Sequence, residues 1–510
     1  MAASTSPDTF SMGPGTLSVS RKALHGGTRA SLLSAMRAAV KDEAKRGVVL
    51  LKGGDTFHIY STDGEGLFRQ ESYFYHLFGV RDEGFYGAVD IRTGVSTLFM
   101  PRLPEEYAVW MGDLKSPADN AAMYGVDQVR YADEVGSYLE AAAPPCVHVL
   151  AGTNTDSKLP VKPPTFDGSE GVTLEADTLF NVLTECRVFK SAEEVAVIRY
   201  ANELGSRGHV EVMRMCKPGL VEYQLESAYL SYCYSNGGSR TTMYTPIAAS
   251  GPNGAVLHYG HAGAPNDRQI RDGDMLLLDF GCEYYHYGSD ITASWPVSGK
   301  FTEAQKARHH GVVASRRKDT EAQKAVYLPV LDALTSVKAV LKPGANWVDM
   351  HTLAYTRLLE GLRTAGLVKG EVADMLAADI GGVFMPHGLG HMLGLDTHDV
   401  GGYTPTTPAR GSRPGYKSLR TARVMQAGMV VTVEPGCYFS KACIGPALLD
   451  PAKAKFLVAD ELAKYADFGG VRLEDNVLIT ATGCECLTNV PRTPDEVEAV
   501  MAGGAWPPAC

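Results

Sequence analysis

The chain reads as an α/β protein, α+β in its later part, built from two domains. Three observations carry that reading. Strand-like and helix-like runs alternate over the first third of the sequence. A helix-start signature, Ser191-Ala-Glu-Glu194, then opens a new segment. Beyond it, glycine-bounded apolar runs of strand length are interspersed with longer helical patterns.

The elements follow in order. Residues 1–16 are rich in Ser, Thr, Pro and Gly and read as a loose tail. Apolar positions at Leu33, Met36, Val40 and Ala44 predict a helix over 28–46. Strand runs follow at 48–52, 85–91, 96–100 and 146–150, giving a first domain over 17–187. The capping box at Ser191 and Glu194 leads into an amphipathic helix carrying Val195, Ile198 and Ala201, so the second domain spans 188–500. Within it, Thr302-Glu-Ala-Gln-Lys-Ala307 recurs at 320–325, a spacing of 18 residues or five helical turns. An insertion of that length, about 302–319, keeps the facing of a helix. It contains His309-His310 and Arg316-Arg317-Lys318, which read as a solvated helix or loop.

Composition excludes several classes. The 510 residues carry 58 acidic against 48 basic side chains, a net charge of −10, which disfavours a nucleic-acid partner. No apolar run reaches the roughly 18 residues a membrane span needs. The first 16 residues lack the basic and apolar regions of a secretory signal. Ten cysteines are too few for a disulfide framework at this length, so they read as reduced thiols. A cytoplasmic location is the expectation.

The chemistry concentrates in a few windows. Met275–Leu278 is a buried-strand run ending at Asp279, and a polar aromatic turn leads to a second run from Asp290 to Trp295. A hairpin symmetric about 284 and 285 sets Asp279 directly opposite Asp290. Cβ atoms so opposed stand about 5 Å apart, and like charges there repel. A shared proton or a divalent cation between them is expected. Met429–Val433 is a third run, ending at Glu434. In the run 469–479, Val471, Leu473, Val477 and Ile479 share one strand face, and Arg472, Glu474 and Asn476 the other. Finally, Met385–His398 holds His387, His391 and His398 among Gly388, Gly390 and Gly394. Those glycines oppose a regular helix and suit backbone packed close to a site. Four carboxylates and an imidazole make a two-metal centre, and oxygen-rich ligation favours Mn, Co or Zn. Metal-assisted hydrolysis follows from such a centre.

The order and contexts of Asp279, Asp290, His391, Glu434 and Glu474 resemble the pita-bread metallopeptidases, the family of methionine aminopeptidase, aminopeptidase P and prolidase. Phe68–Phe74, Pro101-Arg-Leu-Pro104, Trp110-Met-Gly112, Val256–Asp267 and Phe468–Arg472 are similar to its prolidase branch, and the likeness runs from about residue 17 to about 500. The resemblance implies a creatinase/prolidase-like α/β domain followed by a pseudo-symmetric pita-bread domain. It implies two divalent ions, most simply Mn2+ with Co2+ or Zn2+ as alternatives. Asp279, Asp290, His391, Glu434 and Glu474 would be their ligands, with Asp290 and Glu474 shared. Glu434 would also orient or deprotonate the attacking water, His398 would stabilise the oxyanion, and His387 would support the metal loop. His258 and Arg420 would hold a proline carboxylate, with Arg472 and Tyr244 counted among the substrate-binding residues. Trp110 would close the pocket of the partner in a homodimer. The implied activity is hydrolysis of Xaa-Pro dipeptides. The alternatives are aminopeptidase P-like removal of a residue before proline from longer peptides, or a non-catalytic binding protein of the same fold. The insertion departs from the family pattern, as do Cys282 and Cys437, which stand near ligands where less reactive residues are expected.

Overall fold

A computed structural model describes residues 6–301 and 313–507, with backbone only for 313–322. The insertion expected at about 302–319 and its His309-His310 pair therefore lie largely or wholly outside the described residues. The chain divides into two compact units, 1–195 and 196–510.

The first unit is built on a six-stranded mixed sheet. Its strands are β1 (Val48–Lys52), β2 (Tyr86–Asp90), β3 (Ser96–Met100), β4 (Gln128–Tyr131), β5 (Val147–Val149) and β6 (Leu174–Glu175), in the order β6-β5-β1-β2-β3-β4. Val48 and Leu50 of β1 pack with Ala88, Phe99, Val147 and Val149 under a helix carrying Val135 and Leu139. Burying each such aliphatic side chain contributes on the order of 1.5–3 kcal/mol. Helix α1 spans Arg21–Ala39, starting and ending earlier than the predicted 28–46. The Ser20 hydroxyl accepts from Ala23 N–H at 3.1 Å and sets its start. The buried stripe is consequently Leu24, Thr28, Leu32 and Met36.

Helix α2 (Ala192–Met215) starts in the last residues of the first unit and continues into the second. Its capping box is formed: Ser191 N–H donates to Glu194 Oε2 at 2.8 Å, and Glu194 N–H to Ser191 Oγ at 3.2 Å. Helix α3 (Glu222–Gly237) follows. Two three-stranded antiparallel sheets then frame the interior. One is β8 (Ile247–Ser250), β9 (Met275–Phe280) and β12 (Ile291–Pro296), in that order. The other is β13 (Val430–Val433), β16 (Asp475–Ile479) and β17 (Cys484–Cys486), also in that order. Smaller ribbons accompany them: β7 (Thr241–Thr242) with β10 (Cys282–Tyr284) and β11 (Tyr287–Gly288), and β14 (Gly436–Tyr438) with β15 (Gly470–Arg472). Helices α4 (Val313–Val340) and α5 (Trp347–Thr364) pack together and bury Leu334, Val337, Trp347 and Leu358.

The hairpin register differs from the predicted one. Asp279 pairs with Thr292, not with Asp290, which lies diagonally across. The turn is Tyr285-His286, both left-handed with φ of 49° and 62°, and Tyr284 pairs with Tyr287 across it. A two-residue hairpin needs positive φ at both central positions, usually supplied by Asn-Gly or Asp-Gly. Here two bulky residues adopt it, so the turn centre was hidden. The run 469–479 is also not one strand. It breaks at Leu473-Glu474, and β15 and β16 join different sheets.

Candidate metal centre

The four carboxylates come from the two larger sheets and their edges. Asp279 ends the apolar run of β9, and Glu434 follows β13. The strand break places Glu474 between β15 and β16, where its N–H donates to Thr292 O at 3.0 Å and ties the two sheets together. The histidine segment is extended, not helical. Leu393 N–H donates to Val430 O, Thr432 N–H to His391 O, and Glu434 N–H to Leu389 O, so it runs antiparallel beside β13. A Cβ on Gly390 would stand 2.0 Å from Thr432 O, so only glycine permits this approach.

These residues converge on one cavity of about 590 Å³. Ligand atoms of Asp290, His391 and Glu474 lie within 4.8 Å of one another. His391 Nε2 stands 3.3 Å from Asp290 Oδ2 and 3.6 Å from Glu434 Oε1. His391 Nδ1 is 2.9 Å from Met392 O, which only accepts, so Nδ1 carries the proton. The Nε2 lone pair of neutral His391 therefore faces two carboxylates, a repulsive arrangement that only a proton or a cation relieves. The Tyr244 phenol oxygen lies 2.5 Å from Asp279 Oδ1 and 2.6 Å from Asp290 Oδ1. It has one proton to donate to two acceptors, so excess negative charge remains between them.

The electrostatics agree. Burial pushes the Asp279 carboxyl up to about 6, against the pull of Arg472 and with the push of Asp290. Burial likewise raises Glu434 to about 7. Burial and the three neighbouring acids drive Glu474 well above the carboxylate range. Asp290 stays below its usual value despite burial, because His391 and Tyr244 hold its charged form. Against its own burial, His391 is raised by Asp290 and Glu434. Four buried acids with one proton-bearing imidazole form a donor set that fits divalent cations.

The other expected site residues divide. His258, His387, His398 and Arg420 line the same cavity. Burial lowers His387 to about 3 and, with the neighbouring His391, His398 to about 2, so both rings are neutral. His387 Nδ1 donates to Gly388 O at 2.7 Å, which leaves Nε2 to accept from the Tyr438 hydroxyl at 2.9 Å. His398 stands edge-on to His391 with ring centroids 4.6 Å apart. Arg472 also lines the cavity, and three of its N–H groups bond to neighbouring protein groups. Nε donates to Thr292 Oγ1 at 2.9 Å, Nη1 to Tyr438 OH at 2.8 Å and Nη2 to Asp279 Oδ2 at 2.5 Å. Trp110 lies in the first unit, on the short helix Ala108–Met111, and is 80% exposed beside Val109 and Met111.

Sequence reasoning missed Thr292, Tyr438 and Thr432. Thr292 Oγ1 donates to Glu474 Oε2 at 2.6 Å while accepting from Arg472. Thr432 Oγ1 accepts from His391 N–H at 3.1 Å. Their only signal was strand period: Thr432 lies two residues from Glu434, and Thr292 two from Asp290.

Comparison with known proteins agrees with this geometry. The family model described as metallopeptidase family M24 matches residues 196–481, and that of the aminopeptidase P N-terminal domain matches 25–149. The Xaa-Pro dipeptidase of Rattus norvegicus is 48% identical, covering 98% of this chain and 98% of its own. That of Homo sapiens is 47% identical, covering 99% and 98%. The solved structure of Pseudomonas aeruginosa aminopeptidase PepP superposes with a TM-score of 0.73 at 30% identity, over 94% of this chain and 98% of its own. The chain belongs to metallopeptidase family M24, the pita-bread metallopeptidases, with an aminopeptidase P-type N-terminal domain ahead of the catalytic one.

Proposed function

We propose that this protein hydrolyses Xaa-Pro dipeptides with a metal-activated water. One observation carries the reading: His258 and Arg420 line the same cavity as the complete set Asp279, Asp290, His391, Glu434 and Glu474. The relatives at 47–48% identity over nearly full length carry the Xaa-Pro dipeptidase name.

Asp279, Asp290, His391, Glu434 and Glu474 would hold two divalent ions, Mn2+ in our reading with Co2+ or Zn2+ as alternatives. Bound there, such ions lower the pKa of a water and neutralise charge on the scissile carbonyl. Glu434 takes the proton of the attacking water. Its burial, which lifts the carboxyl toward neutrality, suits that exchange. Neutral His398 donates to the carbonyl oxygen as it gains charge. His387, fixed through Tyr438, supports the backbone at Gly388. Arg420 holds the substrate carboxylate through its planar fork, and His258 adds a second polar contact. Tyr244 and Arg472, which line the cavity and hold the acids in place, are also proposed to contact the substrate. The prolyl amide nitrogen has no hydrogen, so a pocket for a ring with a free carboxylate selects this bond.

A homodimer is part of the proposal, supported by the exposed apolar run Val109-Trp110-Met111. So is a cytoplasmic location, supported by nine free cysteines among the described residues. No described helix is long and apolar enough to cross a membrane. The domain limits 17–187 and 188–500 are likewise proposed.

The test is proline release from Gly-Pro after chelation, with and without added Mn2+, alongside Gly-Pro-Ala. Mn2+-dependent release from the dipeptide is expected, with the tripeptide a poor substrate. Preference for the tripeptide favours aminopeptidase P-like activity. No release from either, with no bound ion, favours the binding-protein reading.

A further inference from the structure

The first unit holds a nucleophile that the peptidase chemistry leaves unused. Cys146 directly precedes β5, and His148 lies within that strand, two residues on. Strand period puts both side chains on one face. Strand β6 runs parallel beside β5, with Glu175 registered against His148. A thiol, an imidazole and a carboxylate so meet at the β6 edge of the sheet.

His148 Nδ1 stands 2.6 Å from Glu175 Oε2. An ionised carboxylate only accepts, so Nδ1 carries the proton and Nε2 offers its lone pair. That lone pair faces Cys146 Sγ at 3.5 Å, within hydrogen-bond reach for sulfur. The other Glu175 oxygen accepts from Asp177 N–H at 3.0 Å and from the Thr178 hydroxyl at 3.1 Å, which fixes the carboxylate. Burial opposes its charge, yet the bonds from His148 and Asp177 hold it below the usual carboxylate range. Nucleophile, base and orienting acid therefore stand in the order of a triad.

At rest the thiol keeps its proton. Lys45 O at 3.3 Å and His148 Nε2 at 3.5 Å both offer it an acceptor. Burial and the Glu175 charge raise the thiol above its usual range. The proton must leave as the sulfur reacts, and His148 is placed to take it. Cys146 is 9% exposed and has the exposed residues Lys45 and Pro145 beside it, so a small flat reagent meets it from solvent.

We infer that Cys146, His148 and Glu175 form a nucleophilic site that shares no residue with the peptidase cavity and takes small electrophiles of the α,β-unsaturated carbonyl class. The Cys146 sulfur adds to the β carbon. One S–C bond forms as the C=C π pair moves onto the carbonyl to give an enolate. The thiol proton passes to His148 Nε2, and Glu175 stabilises the imidazolium. The enolate α carbon then takes that proton back. The thioether keeps every atom of thiol and electrophile, no group leaves and no oxidant is consumed.

N-Ethylmaleimide is the probe. The folded, metal-loaded full chain is labelled over time, quenched, digested and quantified by mass spectrometry. Cys216 is the internal control: it is also 9% exposed, and no described histidine is hydrogen-bonded to it. Cys146 is expected to label about tenfold or more faster than Cys216. His148→Gln should slow Cys146 on the order of tenfold or more while Cys216 keeps its rate, and Glu175→Gln should slow it by a smaller factor. Equal rates at Cys146 and Cys216 in the wild-type protein overturn the proposal, with no variant needed. An unchanged Cys146 rate in both variants overturns the roles of His148 and Glu175. If His148→Gln loosens the fold, Cys216 labelling rises with it, and Glu175→Gln alone then decides.

Discussion

The two halves of the metal site supply two carboxylates each, yet they hold them differently. The first half sets Asp279 and Asp290 on one hairpin, bridged by the Tyr244 phenol and flanked by Arg472 and His391. The second half sets Glu434 and Glu474 at a strand end and a strand break. There, among the described residues, the Glu474 carboxylate receives only the Thr292 hydroxyl at hydrogen-bond distance. The consequence is electrostatic. Asp290 favours its charged form in spite of burial, whereas Glu474 strongly disfavours it. In the first half the protein compensates Asp290, although Asp279 is raised, whereas in the second half both carboxyls are raised and depend on a cation from outside.

That contrast can be broken most severely at Glu434. Glu434→Gln removes the proposed base and one ligand atom, so Gly-Pro turnover should fall on the order of 10³-fold or more in steady-state assays. Retention of most of the turnover would take Glu434 out of the chemistry.

A sharper test uses the metal-free protein near neutral pH. Asp290→Asn should destabilise it by about 1–3 kcal/mol, because His391 loses its charged partner. Glu474→Gln should instead leave stability unchanged or raise it, since a neutral isostere relieves buried repulsion. Denaturant unfolding of both variants reads the sign, and the same sign for the two would erase the distinction between halves.

The pH dependence follows from the raised carboxylates. Asp279 moves from 3.8 to about 6 and Glu434 from 4.5 to about 7 on folding. Both are protonated in folded and unfolded chains at low pH. As pH rises through the window from about 4 to about 7, the unfolded chain ionises first and the metal-free fold loses stability. The gap in Tm between Mn2+-loaded and metal-free protein should therefore widen from pH 5 to pH 7.5. A constant gap would mean that these acids are neutralised by the protein itself.

A stability effect of similar size to that of Asp290→Asn is expected at Thr292, which links the halves. Thr292→Val removes one hydroxyl, leaves Arg472 Nε without that acceptor and frees Glu474, at a cost of about 1–3 kcal/mol. Thr292→Ser keeps the hydroxyl and should recover most of it in the same unfolding assay.

Much of this was legible in the sequence because it is local. The apolar runs before Asp279 and Glu434 bury themselves as β9 and β13, which exposes the next polar residue at a strand end. The Ser191–Glu194 box closes over four residues, within reach of its own side chains. The glycines around His387 and His391 announced close backbone approach, and Gly390 against Thr432 is that approach. The hairpin register was not legible, because nothing in Tyr285-His286 advertises positive φ. A turn centre displaced by one residue moves the partner of Asp279 by two positions.

The sequence by itself determined which chemistry was available: four acids and a histidine, ordered along apolar strands in a pattern that marks a metallopeptidase family. Only the tertiary structure decided how each group is held. Arg472 was expected among the substrate-binding residues, and the packing of β14, β15 and β12 brings Tyr438, Asp279 and Thr292 to its nitrogens while it lines the cavity. The reason is physical. Strand period and capping act over a few residues, whereas partners and burial depend on contacts between segments far apart in the chain.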